Sequence, residues 1–221
     1  MRRAGFRFYL ITDRTAMRGG TLALACADAL SAAPPGTVAL QVREKDLPAR
    51  DLYRLALELR EVCTRYGAPM IVNDRVDIAL AARADGVHLP FDSIGVAMTR
   101  RLIGSGLLIG SSTHSPPDIA SAARGGADFV VFGPIFDPIS KTAQRPAWGL
   151  GGLAAACRAA AIPVYALGGI TPERARDLMS NADPKARPAG AAGIGSILAA
   201  ASPAEAMRAM LAALNSSSTA S

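Results

Sequence analysis

Thr37-Val38-Ala39-Leu40-Gln41-Val42-Arg43-Glu44-Lys45 runs from apolar to charged, and Leu47-Pro48 follows it just before a helical pattern begins. The apolar half reads as a buried strand, and the charged half as its carboxyl end. Side chains alternate along a strand, so Gln41, Arg43 and Lys45 share one side while Val42 and Glu44 take the other. Two cations and an amide thus share a face where, in a sheet of parallel strands, ligands are bound. Whether they bind one or form a solvated cluster depends on the rest of the chain.

Upstream, Phe8 to Thr12 reads as a strand and Leu22 to Leu30 as an Ala/Leu-rich helix ended by Pro34-Pro35-Gly36. Downstream the unit repeats. In the segment Ala49 to Tyr66, Leu52, Leu55, Leu59 and Val62 recur at helical spacing. Further strands are expected at 70–73, 86–89, 107–110, 128–133, 163–167 and, weakly, 191–194. Helices are expected at 76–82, 96–102, from Pro116, at 151–161, from Thr171 and at 203–214. Apolar strands alternating with helices imply a parallel sheet covered on its outer face. About eight units fit a single α/β domain, a (β/α)8 TIM barrel, over residues 1–214, with a Ser/Ala-rich tail at 215–221. A doubly wound open sheet is the competing fold. The similar approaches Arg83-Ala84-Asp85-Gly86 and Gly125-Gly126-Ala127-Asp128 favour the barrel, because they suggest a repeated unit.

Composition narrows the function. Half of the 221 residues are apolar, enough for a full core, yet no apolar run approaches the roughly 20 residues needed to cross a bilayer. Nor does Met1-Arg2-Arg3 lead into a signal-type segment, so a cytoplasmic protein with no membrane partner is expected. The net charge of +6 is spread along helices among acids, and aromatics are only 5%, which argues against nucleic acid and suits a small anionic substrate. Cys26, Cys63 and Cys157 are far apart in apolar helical patterns and read as buried thiols.

In a barrel the residues just past each strand meet at one mouth. Here they include Thr12-Asp13-Arg14, Gln41, Arg43, Lys45, Asn73-Asp74-Arg75, Ser112-Thr113-His114, the loop 133–141, Gly168-Gly169 and Gly195-Ser196. The glycines after the last two strands suit a phosphate held by backbone N–H groups. Ser140 and Lys141, on the long loop, add a hydroxyl and a mobile cation. Asp74, with Asp92 as second ligand, would hold Mg2+, a hard cation bound through one or two carboxylates and phosphate oxygens. His114 is the proton-transfer group nearest the mouth, and His88 reads as a core or mouth residue.

The chain resembles the thiamine phosphate synthase and thiazole tautomerase superfamily. The resemblance rests on QVREK at 41–45, VNDRVDIAL at 72–80, ADGVHL at 84–89, SSTHS at 111–115, GADFVVFGPIF at 126–136, Ser140-Lys141 and PVYALGGITPE at 163–173. It implies a (β/α) barrel that joins hydroxymethylpyrimidine diphosphate to hydroxyethylthiazole phosphate with help from magnesium. By the same resemblance, Gln41, Arg43, Lys45, Asn73 and Lys141 would hold the pyrimidine diphosphate and Ser112 would lie near it. Asp74 would bind the metal, and Gly168, Gly169 and Ser196 would hold the thiazole phosphate. The turn Leu89-Pro90-Phe91-Asp92-Ser93 departs from the synthase pattern, its acid lying one position early, and looks more like the tautomerase branch. Pro138-Ile139-Ser140 stands where synthases carry threonines before the lysine. The alternative is therefore a metal-independent isomerase with His114 as acid/base; a barrel that only binds thiamine intermediates is a third. Subunit number stays open, a homo-oligomer included.

Overall fold

A computed structural model describes residues 4–17, 19–137 and 146–216. The strands β1 (Phe8–Ile11), β2 (Val38–Val42), β3 (Met70–Asn73), β4 (Gly86–Leu89), β5 (Leu108–Thr113), β6 (Phe129–Phe132), β7 (Val164–Leu167) and β8 (Gly190–Gly193) pair in chain order. Every pairing is parallel, and β8 closes onto β1 with Phe8 opposite Ala191. The barrel, not the open sheet, is the fold.

Helices α1 (Leu22–Ser31), α2 (Ala49–Tyr66), α3 (Val76–Ala81), α4 (Val96–Ile103), α5 (Pro116–Gly125), α6 (Gly149–Ala159), α7 (Pro172–Met179), α8 (Gly195–Leu198) and α9 (Pro203–Asn215) surround it. Their starts and stops follow from local chemistry. Ser115, Thr171 and Ser202 each accept a backbone N–H in the first turn of α5, α7 and α9, with proline beginning each helix. Gly67 ends α2 in the left-handed conformation. On α2 the buried residues are Leu52, Ala56, Leu59 and Cys63, a single stripe toward the strands.

Alternation along the strands sorts the core into two layers. Outward-facing residues such as Leu40, Val42, Val72, Val87 and Ile109 pack with the helices. Inward-facing Tyr9, Ile11, Ala39, Ile71, Phe129, Val131, Tyr165 and Ala192 fill the lumen with Phe6. Phe6 stacks on Tyr165 at 4.4 Å between ring centroids, and the Tyr165 hydroxyl donates to the Phe6 carbonyl at 2.9 Å. This aromatic cluster fills the amino-terminal end of the lumen, opposite the end where the loops after the strands gather.

The boundaries differ from the expected ones where polar residues continue a strand. Ser112 and Thr113 belong to β5, which runs three residues past Gly110, because Thr113 is inside the ladder and its hydroxyl donates to the Val131 carbonyl at 3.1 Å. Short turns at Arg14–Ala16 and Pro184–Ala186, and the four-residue α8, were too brief for periodicity to reveal. Asn215 ends α9 and so does not begin the tail; residues 217–221, like Ser140 and Lys141, lie outside the described residues. No helix among the described residues is long and apolar enough to cross a membrane. Cys26 and Cys63 are buried free thiols and Cys157 is half-buried; desolvation pushes Cys63 and Cys157 up to about 12, leaving them unreactive.

Candidate active site

Gln41 is the last inward residue of β2, opposite Ile11 and Ile71, and its side-chain amide donates to the Tyr9 hydroxyl at 3.0 Å. Burial pushes the Tyr9 phenol well above its ordinary range, so it stays neutral and fixes the amide. Two residues on, the Arg43 backbone N–H donates to the buried Thr12 hydroxyl at 2.8 Å, which ties the exit of β2 to that of β1. Arg43 is half-buried and Lys45 exposed. Arg14, Arg60, Arg75, Arg100 and Arg158 each meet a carboxylate, whereas none pairs with Arg43 or Lys45 among the described residues. Glu44 turns the other way, buried, and its carboxylate accepts from the Arg14 backbone and guanidinium. Arg14 also grips Asp46, so Asp13 and Arg14 are fixed within the protein rather than offered to the mouth.

Asn73 ends β3 facing inward, and Asp74 follows it with φ 63°. Its N–H donates to the His88 carbonyl at 2.8 Å, and its carboxylate accepts from the Ser93 hydroxyl at 2.6 Å. Asp74 and Asp92 line one cleft of about 260 Å3 with Lys45, Asn73 and Pro90. The altered turn after β4 therefore still brings Asp92 beside Asp74, and Ser93, which sequence reading passed over, orients Asp74. Among the described residues no group of three or more His, Cys, Asp or Glu gathers to hold a metal by itself. Two exposed carboxylates suit Mg2+, which keeps waters and takes further oxygens from a phosphorylated ligand.

His88 and Ser112 face the lumen from β4 and β5, with His88 Nε2 2.9 Å from Ser112 Oγ. His114 stands past β5: its backbone N–H donates to the Asp118 carboxylate at 3.0 Å, and its ring Nδ1 lies 2.9 Å from the Gly133 carbonyl. A carbonyl only accepts, so Nδ1 carries the proton and Nε2 is left as the basic nitrogen. Trp148 holds the His114 carbonyl at 3.0 Å, and the Phe91 ring lies 5.6 Å from the imidazole.

Gly168 and Gly169, after β7, have φ of 109° and 61°. A Cβ on Gly168 would come within 2.8 Å of Pro134, and one on Gly169 within 2.7 Å of the Asp137 carbonyl. The turn is thus fitted first against the loop after β6, whose Ile135 and Phe136 N–H groups donate to Leu167 and Gly168. Arg174 clamps the same turn, donating to the Gly169 carbonyl at 2.7 Å and covering the Phe136 ring. Ser196, exposed, follows the neighbouring β8. A larger cleft of about 610 Å3 lies beside Arg14, Thr21 and Glu58, and of the residues expected at the mouth only Arg14 lines it.

The sequence model of the family described as "Thiamine monophosphate synthase" matches residues 8–200. A Geobacter sulfurreducens protein, provisionally named a thiamine-phosphate synthase, is 45% identical over 217 residues, 97% of each chain. A Methanoculleus marisnigri thiamine-phosphate synthase is 40% identical, covering 89% of this chain and 92% of its own. The solved structure of a thiamine phosphate pyrophosphorylase from Pyrococcus furiosus superposes with a TM-score of 0.83 at 29% identity, over 96% of both chains. With the family matched across the whole barrel, from β1 to the turn that follows β8, the chain belongs to the thiamine monophosphate synthase family.

Proposed function

We propose that this protein is a thiamine-phosphate synthase, a transferase that joins hydroxymethylpyrimidine diphosphate to hydroxyethylthiazole phosphate and releases pyrophosphate. The observation that carries the reading is Arg43: half-buried at the exit of β2 and without a carboxylate partner among the described residues, inside a family whose relatives bear that name over nearly their full length. A cation held there without an acid is available to a departing anion.

The bond that breaks joins the pyrimidine's methylene carbon to the diphosphate oxygen, and the electron pair leaves with pyrophosphate. The bond that forms joins that carbon to the thiazole nitrogen. Arg43 and Lys45 neutralise the charge gathering on the leaving group, and Lys141 adds to them. Gln41, locked by Tyr9, and Asn73 orient the pyrimidine. Gly168, Gly169 and Ser196 hold the thiazole phosphate so that its nitrogen faces the carbon, which removes the entropic cost of the encounter, and Ser140 adds a hydroxyl beside Lys141. Asp74 and Asp92 would hold Mg2+, which when bound supplies further positive charge to the diphosphate oxygens. Both substrates are small and phosphorylated, and the reading places the enzyme in the cytoplasm.

Purified protein given both precursors and magnesium should form thiamine phosphate and pyrophosphate in equal amounts. Arg43→Gln should lower that rate by about a hundredfold, the cost of one charged contact at the reacting group; no product from the unaltered protein overturns the reading. The isomerase alternative retains one observation, the His114 Nε2, which has no hydrogen-bond partner among the described residues. It requires conversion of the thiazole carboxylate phosphate that disappears in His114→Asn. Binding of both ligands with no turnover of either would leave only a binding protein.

A further inference from the structure

Among the buried polar side-chain atoms of the described residues, His88 Nδ1 is one of two without a hydrogen-bond partner. The other, Arg60 Nε, belongs to a guanidinium already engaged with Asp85. The His88 ring sits inside the lumen, 5.7 Å from the Tyr9 ring and 6.2 Å from that of Phe129. Gly110 leaves room for it, since a Cβ there would lie 2.7 Å from Nδ1. Among the described residues the ring's single hydrogen bond is Nε2 to Ser112 Oγ at 2.9 Å.

A neutral imidazole carries one proton, on Nδ1 or on Nε2. On Nδ1 it would leave an orphaned N–H among aromatic rings, and the Ser112 hydroxyl would have to spend its own proton on Nε2. On Nε2 it satisfies the donor, leaves only a lone pair unmet, and makes Ser112 Oγ the acceptor. Buried N–H groups are almost never left without an acceptor, whereas unmet lone pairs are better tolerated. No other partner of Ser112 Oγ is found among the described residues.

We infer that His88 is a positioning residue: its Nε2–H fixes Ser112 so that the serine hydroxyl faces the mouth as a hydrogen-bond donor to an anionic oxygen. Had the tautomer been reversed, Ser112 would present only lone pairs to that oxygen and repel it. The inference rests on the synthase reading for the identity of the oxygen, which belongs to the leaving diphosphate; the tautomer rests on geometry alone.

Two measurements test it. Nitrogen NMR of the protein labelled in its two histidines, at about pH 8 where free imidazole is neutral, should show opposite tautomers: Nε2–H for His88 and Nδ1–H for His114. An Nδ1–H signal from His88 overturns the inference, and the spectrum needs no turnover, so an inactive protein would count against the functional reading alone. In the assay, His88→Asn, whose amide reaches only the Nδ1 position, should lower kcat by about ten- to a hundredfold, the range for a hydrogen bond to a charged group. His88→Gln, which restores a donor near the Nε2 position, should recover most of that loss. In a Ser112→Ala background His88→Asn should have no further effect; a loss that simply multiplies would mark His88 as structural and overturn its role toward Ser112.

Discussion

Asp74 shows how one residue reconciles backbone strain with charge. Its φ of 63° lies in the left-handed region, which costs an L-residue roughly 1–2 kcal/mol unless a short polar side chain relieves it. Its contacts to His88 and Ser93 hold the conformation, and the result is a carboxylate turned into the cleft it shares with Asp92. Asp74→Asn keeps the tolerated backbone and the acceptor for Ser93 while removing the charge. It should lose activity by a hundredfold or so with Tm nearly unchanged, whereas Asp74→Val should unfold at lower urea by about 1–2 kcal/mol; equal stability of the two would contradict the backbone argument. His88 gives a pH dependence of definite sign. Burial first, and then Arg43, lowers it from 6.5 to about 3, so between those values the unfolded chain binds a proton that the folded chain refuses. Stability therefore falls as pH drops below 6.5, by up to about 1.4 kcal/mol per pH unit, and this contribution vanishes above 6.5. Denaturation curves of His88→Gln between pH 4 and pH 7, on the order of that window, should be flatter than those of the unaltered protein by that slope.

Elements repeat in pairs, and the repeat has a chemical core. Asp85, before β4, accepts from Arg60 of α2 at 2.6 Å and from the Met70 N–H that opens β3 at 2.9 Å. Asp128, before β6, accepts from Arg100 of α4 at 2.5 Å and from the Ile109 N–H of β5 at 2.7 Å. Each aspartate thus fastens a helix and the start of one strand to the next. Asp128→Ala should cost about 2 kcal/mol, the range for a hydrogen-bonded charge that is only partly screened, read as a lowered urea midpoint with unchanged slope. The two Ala-Asp approaches were visible in the sequence, and so was every strand, because apolar runs of strand length bounded by turn residues are a local signal. Gln41 and Arg43 were legible for the same reason: alternation alone aims them inward. Tyr9 behind Gln41, Thr12 behind Arg43 and Ser93 behind Asp74 were not, since their partners lie 19 to 32 residues away and only closure brings them together. His88 looked like a core residue and is one by burial, yet its partner across the strands gives it another part.

Closure of the whole molecule depends on its least strand-like segment. β8 is Gly190-Ala191-Ala192-Gly193, with no bulky side chain to drive it into a sheet. The seam explains the composition: a Cβ on Gly190 would stand 2.0 Å from the Arg7 carbonyl, and one on Gly193 would stand 2.9 Å from both the Phe8 ring and Ser196 Oγ. Only glycine lets β8 approach β1 closely enough to pair, and pairing removes the two exposed edges that an open sheet would present. Arg7 reinforces the junction, donating to the carbonyls of Ala189 and Leu214 and so joining the first strand to the last helix. Gly190→Ala must therefore push backbone against backbone, where no side chain can rotate away. It should destabilise by about 3 kcal/mol, the upper range for overpacking, which for a chain of this size lowers Tm by about 6–12 °C. Gly151→Ala supplies the control: Gly151 lies within α6 with nothing within 4 Å of an added Cβ, and the change should raise Tm by a few degrees through helix propensity alone. Calorimetry that found the same shift for both substitutions would mean that β8 does not need glycine to close the barrel. A large loss confined to Gly190→Ala would place the molecule's integrity in the seam that also carries Ser196 to the mouth.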